Sequence, residues 1–180
     1  MTQVKALTLH APYGDLILEG VKRFETRSTR FNYRGRLWIH TAQRYPILSE
    51  RWGGWRIANY FHDAIGDYAL ELIGPDLNRW PLHLGCVIGY VDVVDCLPMS
   101  TENAERDVLK LNTDTGGWWR CYADRHPADA ENIDDQIPFG IYRPGRWAIE
   151  LANPVRVDPF PAKGSQARPW NLELPEGVTP

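Results

Sequence analysis

Apolar and polar positions alternate over residues 4–9 (VKALTL), the two-residue period of a strand with one buried face. Ala11-Pro12 then opens a helix, because proline suits a first helical turn, and Leu16 and Ile17 mark its buried side. Gly20 is placed to end that helix as a left-handed cap. Residues 23–28 (RFETRS) return to alternation, with Phe24 and Thr26 on one face and Arg23, Glu25 and Arg27 on the other. A turn over 32–35 predicts a short hairpin into a third strand over 36–42 (RLWIHTA), where Leu37 and Ile39 face away from Trp38 and His40.

Further along, the apolar spacing over 46–65 predicts a helix broken near Gly53-Gly54. Residues 84–97 (LGCVIGYVDVVDCL) form the clearest β stretch and predict a central strand, with Gly85 and Gly89 as positions for a bulge or bend. Residues 101–111 read as a capped helix, whereas 112–140 keep no sustained period and read as a long surface excursion. Strand character resumes over 145–151 and 155–160, on either side of Asn153-Pro154, and 161–180 is a proline-rich tail. Neither a repeat nor a separating linker interrupts the pattern, so a single domain over 1–180 is expected.

Composition narrows the class of protein. A chain of 180 residues can bury a core without staples, and three cysteines with no CxxC spacing predict no disulfide framework. The five histidines are scattered singly, so neither a metal site nor another cofactor is expected. No apolar run approaches the roughly 18 residues that span a bilayer, and the first ten residues lack the pattern of a secretory leader, which predicts a cytoplasmic protein without membrane partners. The net charge is −3, but it is unevenly spread. Residues 20–60 hold nine Lys and Arg against Glu25 and Glu50, while residues 61–180 hold ten against nineteen Asp and Glu. A basic segment on an acidic body suits either a local contact with phosphate or internal pairing with the acidic remainder.

The segment Gly20-Val21-Lys22-Arg23-Phe24-Glu25-Thr26-Arg27 concentrates the candidate chemistry. A glycine turn presents Lys22 at the mouth of a strand, and Glu25 and Arg27 follow on one strand face. Such a trio is able to grip a base edge and a phosphate together, since Glu accepts from amino groups while Lys and Arg donate to oxygens. An ordinary ion-paired strand face has the same spacing.

The GxKxxExR pattern within residues 7–28, the Pro-Tyr pair before the first helix, and the segments RGRLWIHTAQR, FGIYRPGRWAIEL and PAKGSQARPW follow one another across nearly the whole chain. In these pieces the sequence resembles the ASCH-domain family of the PUA-like superfamily. The resemblance implies an α+β fold, a small mixed or antiparallel β-barrel flanked by helices, with a basic cleft lined by Lys22, Glu25 and Arg27. It implies binding of RNA, another nucleic acid or a modified nucleobase. Tyr13 then either covers the cleft or staples the first helix, and His40 either reaches the cleft or sits at the barrel rim. Some family members act on nucleosides or RNA. One branch is an amidohydrolase that cleaves N4-acylated cytidine with a lysine and a threonine nucleophile, and Glu25 occupies the threonine position here. The alternative is therefore an enzyme, amidohydrolase or ribonuclease-like, with Lys22 and Glu25 catalytic. A third reading is a regulatory domain whose acidic face binds a protein partner. Trp119 and Trp38 are the tryptophans best placed for base stacking, although indoles in small barrels more often fill cores.

Overall fold

The computed structural model describes residues 2–43, 83–102, 107–165 and 168–179. The helix expected over 46–65 and the Trp52 and Trp55 pair lie outside them. The described residues are mostly β-sheet, of mixed parallel and antiparallel pairing, with few helices, which agrees with a PUA-like β fold. They divide into two compact units, each assembled from separate stretches of chain.

The first unit comprises Met1–Val21, Arg36–Val91 and Asn153–Pro180. Strand β1 (Gln3–Leu9) leads into α1 (Tyr13–Leu18). The helix stops as Gly20 predicts. With Gly20 at φ 77°, its N–H donates to the Ile17 carbonyl at 3.0 Å and the Val21 N–H donates to the Leu16 carbonyl at 3.0 Å, the paired bonds of a Schellman cap. Strand β3, numbered after β2 (Phe24–Arg27) of the second unit, covers Gly35–Thr41 and pairs with β1 in parallel. A parallel pair needs a crossover, which α1 and the chain after it supply. The short hairpin expected between β2 and β3 is therefore absent, because β3 joins β1 while β2 pairs elsewhere.

Strands β4 (Cys86–Ser100) and β8 (Trp147–Pro161) contribute residues to both units. Gly89 in β4 lies where a Cβ would collide with the Val155 carbonyl of β8 and the Leu18 side chain, so close approach of backbone is what requires glycine there. Within β8, Asn153 adopts φ 51°, a conformation that asparagine tolerates. The proline-rich tail is partly ordered as β9 (Trp170–Glu173), antiparallel to β1. Trp38, fully buried, centres a core with Ala6, Val87, Leu172 and Leu174, and it meets Tyr90 at 5.1 Å between ring centroids. That burial removes Trp38 from any stacking role.

The second unit comprises Lys22–Gly35 and Asp92–Ala152. Between β4 and β8 run β5 (Val108–Leu111), β6 (Trp118–Cys121) and β7 (Glu131–Asn132), with a six-residue 3₁₀ helix at Asp134–Phe139. Two expectations fail here. Residues 108–111 form a strand where the Ser/Thr cap suggested a helix, and their apolar pair Val108 and Leu109 is buried. The stretch 112–140 does not simply run over the surface, since Trp118, Ile133 and Phe139 are buried. Phe24, Leu97, Met99, Leu109, Trp118, Ile133 and Ala148 make one core, and truncating Phe24 to alanine there costs on the order of 3–5 kcal/mol.

Candidate functional site

Strand β2 fixes the direction of the signature residues. It pairs antiparallel with β8, placing Phe24 opposite Glu150, Glu25 opposite Ile149, Thr26 opposite Ala148 and Arg27 opposite Trp147. Burial alternates along it, so Phe24 and Thr26 enter the core while Glu25 and Arg27 share the other face. The Thr26 hydroxyl accepts from the Ile141 N–H at 3.0 Å, which ties it to the backbone. A threonine nucleophile is thus not offered on the face that carries Glu25.

The structure brings Lys22, Glu25 and Arg27 together. Lys22 Nζ lies 3.3 Å from Glu25 Oε2, and Arg27 Nε lies 3.0 Å from Glu25 Oε1 without the alignment of a hydrogen bond. Lys22 also donates to the carbonyls of Phe24 and Phe139, each at 2.6 Å. An ammonium that faces an open hollow is not what the structure contains, for the Lys22 side chain is only 1% exposed, against 13% for Glu25 and 26% for Arg27. Burial lowers the Lys22 pKa most strongly; the Glu25 charge opposes that shift and the Arg27 charge adds to it. Two carbonyls and a carboxylate hold the ammonium in place. Its geometric effect is to fix Glu25.

Residues more than a hundred positions away complete this cluster. Tyr142 has a buried hydroxyl with no hydrogen-bond partner among the described residues, and its pKa is pushed far up by burial and then by the charges of Glu25 and Asp135. Gly140 permits that approach, since a Cβ there would lie 2.7 Å from Thr26 Cγ2 and 3.0 Å from the Tyr142 ring. Arg146 donates to the carbonyls of Ile141 at 3.1 Å and Thr26 at 3.4 Å. Its pKa is lowered, by burial first and then by the charge of Arg143, with Glu25 acting in the opposite direction and Arg27 in the same one. Arg30 stacks over Trp147, 5.6 Å from guanidinium to ring centroid. Tyr142, Arg143 and Arg146 were not singled out as site residues from the sequence. Their signal lay in the FGIYRPGRWAIEL segment, which the family resemblance marks as a block without saying which side chains meet Glu25.

Nearby charges are mostly neutralised within the unit. Arg23 pairs with Glu131 at 2.7 Å and Asp135 at 3.5 Å, and Arg120 pairs with Glu150 and, at 3.5 Å, with Asp107. Internal pairing therefore accounts for part of the basic segment. Trp119 is half-buried on β6, with an enclosed indole N–H that has no partner.

His40 and Tyr13 belong to the first unit. Tyr13 opens α1, its N–H donating to the His10 carbonyl at 3.0 Å. His40 is buried, with Nδ1 3.1 Å from Thr8 Oγ1, Nε2 3.1 Å from the Ala162 carbonyl, and the Trp170 ring edge-on at 5.6 Å. Burial lowers its pKa, against the two backbone hydrogen bonds of Ala162 and Gly85. Among the described residues no three His, Cys, Asp or Glu side chains gather as metal ligands, and no helix is long and apolar enough to cross a membrane.

Over 94 residues the chain is 35% identical to activating signal cointegrator 1 of Homo sapiens, and equally to that of Mus musculus. The aligned stretch covers 51% of this chain but only 14% of each relative. The profile of the ASCH domain matches residues 7–158, from β1 through the Lys22 cluster and into β8, and the chain belongs to the ASCH domain family.

Proposed function

We propose that the chain binds RNA, or another single-stranded nucleic acid or modified nucleobase, at the Lys22, Glu25 and Arg27 cluster. The supporting observation is the charge around Glu25: Arg27 acts on both Lys22 and Arg146, Arg143 adds to the charge at Arg146, and Glu25 opposes the shifts of Lys22 and Arg146. Cations that depress one another's pKa gain when a phosphate arrives between them. Trp147, opposite Arg27, puts an indole in the same group, and Glu25 is an acceptor for exocyclic amino groups of a base. Since Lys22 is enclosed, the phosphate contacts fall to the arginines, and Lys22 orients the carboxylate. The barrel of the PUA-like superfamily remains part of this proposal on the strength of family membership.

The test is a salt series of single-stranded RNA binding. Arg146→Ala is expected to weaken binding about tenfold and to flatten the slope of log K against log salt by about 0.7, the share of one phosphate contact on a single strand. Equal slopes for the variant and the unaltered protein would remove Arg146 from the interface.

A second reading has its own observation, the Lys22 ammonium 3.3 Å from Glu25 and the Tyr142 hydroxyl close enough to feel its charge. In an amidohydrolase, Glu25 takes a proton from water as its oxygen bonds to the acyl carbon, the C–N bond then breaks, and the departing amine takes the proton. N4-acetylcytidine would yield acetate and cytidine. Absence of cytidine release, or release that persists in Glu25→Gln, removes this reading.

A further inference from the structure

The first unit contains a cavity of about 760 Å³. Thr8 and His40 line it, together with Gln43, Lys163 and the side-chain-free positions Gly85 and Gly164. The segment 161–164 forms one wall and is tethered twice. His40 Nε2 meets the Ala162 carbonyl at 3.1 Å, and the Ala162 N–H donates to the Gly85 carbonyl at 3.0 Å. Because a carbonyl only accepts, Nε2 carries the proton and Nδ1 accepts from the Thr8 hydroxyl. Thr8 Oγ1 in turn accepts from Trp170 Nε1 at 3.1 Å. A Cβ on Gly164 would lie 2.5 Å from the His40 ring and 2.6 Å from Thr8 Oγ1, so the wall rests directly on these two side chains. A wall held this way is already formed before a ligand arrives, which spares the cost of ordering it.

The volume falls in the range of small-molecule sites. Among the described residues that line it, Lys163 is the one charged side chain and none is a carboxylate. His40 donates through Nε2 and accepts through Nδ1, so it meets the cavity as a hydrogen-bonding ring. Gln43 packs on Gly85, where a Cβ would come within 2.8 Å of its Cγ, and its carboxamide can both donate and accept. Ala42 and Pro161 add apolar surface. One cation, one two-way amide and apolar wall are complementary to a ligand with an anionic end and a flat body with polar edges.

We propose that this cavity binds a phosphate-bearing planar ligand of mononucleotide size, with the phosphate at Lys163 and the edge of the base at Gln43. The ligand is either a free nucleotide or one nucleotide of a single strand. Calorimetric titration of the whole chain with the four ribonucleoside 5′-monophosphates and with tetranucleotides tests it, alongside the NMR resonance of the His40 Cε1 proton. The expected result is saturable binding that shifts this resonance and is weakened about tenfold by Lys163→Glu. A tetranucleotide that binds about tenfold tighter than any monophosphate identifies a strand as the source, and comparable affinities identify a free nucleotide. Lys163 is exposed, so its replacement tests binding without disturbing the fold. If no monophosphate or tetranucleotide shifts the His40 resonance, or if Lys163→Glu leaves the affinity unchanged, the site is overturned. Loss of RNA binding in Arg146→Ala alone would bear on the other cluster and not on this one.

Discussion

In the first unit a line of donors runs from Trp170 Nε1–H to Thr8 Oγ1, from the Thr8 hydroxyl to His40 Nδ1, and from His40 Nε2–H to the Ala162 carbonyl. Every member has a partner and none carries a formal charge. In the second unit Lys22 is enclosed with its charge opposed by burial, Arg27 Nε reaches Glu25 without alignment, and the Tyr142 hydroxyl has no hydrogen-bond partner among the described residues. A closed line of neutral hydrogen bonds fixes backbone, each bond contributing about 1 kcal/mol net. An incompletely satisfied charged group keeps demand in reserve that a ligand can meet, and such groups concentrate where proteins bind or react. The contrast separates a network that holds a wall from a cluster prepared to contact something else.

The largest expected effect tests how much the second unit depends on its enclosed charge. Lys22→Met removes a cation 3.3 Å from Glu25 and the donor from the Phe24 and Phe139 carbonyls, leaving a largely enclosed carboxylate less compensated. Breaking a buried pair from one side costs about 3 kcal/mol. Urea unfolding at neutral pH should show a loss of that order. A variant as stable as the unaltered protein would mean that the lysine's desolvation offsets everything it contributes.

How far the site was legible follows from range. Alternation along β2 correctly separates Phe24 and Thr26 from Glu25 and Arg27, because strand faces depend on neighbouring residues alone. The Gly20 turn is legible for the same reason. What alternation does not carry is a partner. It joins β2 to the following strand, whereas the chain pairs it with β8, more than a hundred residues on. That pairing encloses Lys22 beneath the Phe139 carbonyl and brings Tyr142 and Arg146 to Glu25. Residues 112–140 mislead likewise: Gly, Asp and Pro hide Trp118 and Ile133, whose burial comes from β4, β5 and β8. His40 illustrates the intermediate case. Its strand and its side were readable, but its Ala162 partner comes from a segment 122 residues away.

A smaller effect sharpens the comparison through pH. His40 in the folded chain has a pKa below its ordinary 6.5, so it binds protons more readily when unfolded. Stability from this residue is therefore complete above pH 6.5 and is lost as pH falls through the lowered folded value. Among the described residues no charged group contributes to its shift, and only the Ala162 and Gly85 carbonyls favour the protonated ring. His40→Gln retains an N–H donor and cannot titrate. Between pH 7 and pH 5 the unaltered protein should lose stability relative to this variant in thermal unfolding, and a constant difference between the two over that range would contradict the argument.

The smallest expected effect falls on the residue with the most unusual surroundings. The Tyr142 hydroxyl is buried without a partner, so folding strips it of water and returns no bond. Leaving such a group unsatisfied costs about 1–3 kcal/mol, and removing it while keeping the ring relieves that cost. Tyr142→Phe should thus be neutral or stabilising by up to about 1 kcal/mol, since the ring still packs against Trp118, 6.2 Å between centroids, and the core that includes it. Binding should respond in the other direction: affinity for single-stranded RNA or for a modified nucleoside falls if the hydroxyl is a donor kept for the ligand beside Glu25. Stability and affinity measured on the same preparation separate the two outcomes. A variant that loses stability shows the hydroxyl already bonded in the free protein, and a variant unchanged in both leaves Glu25 and the arginines to recognise the ligand without it.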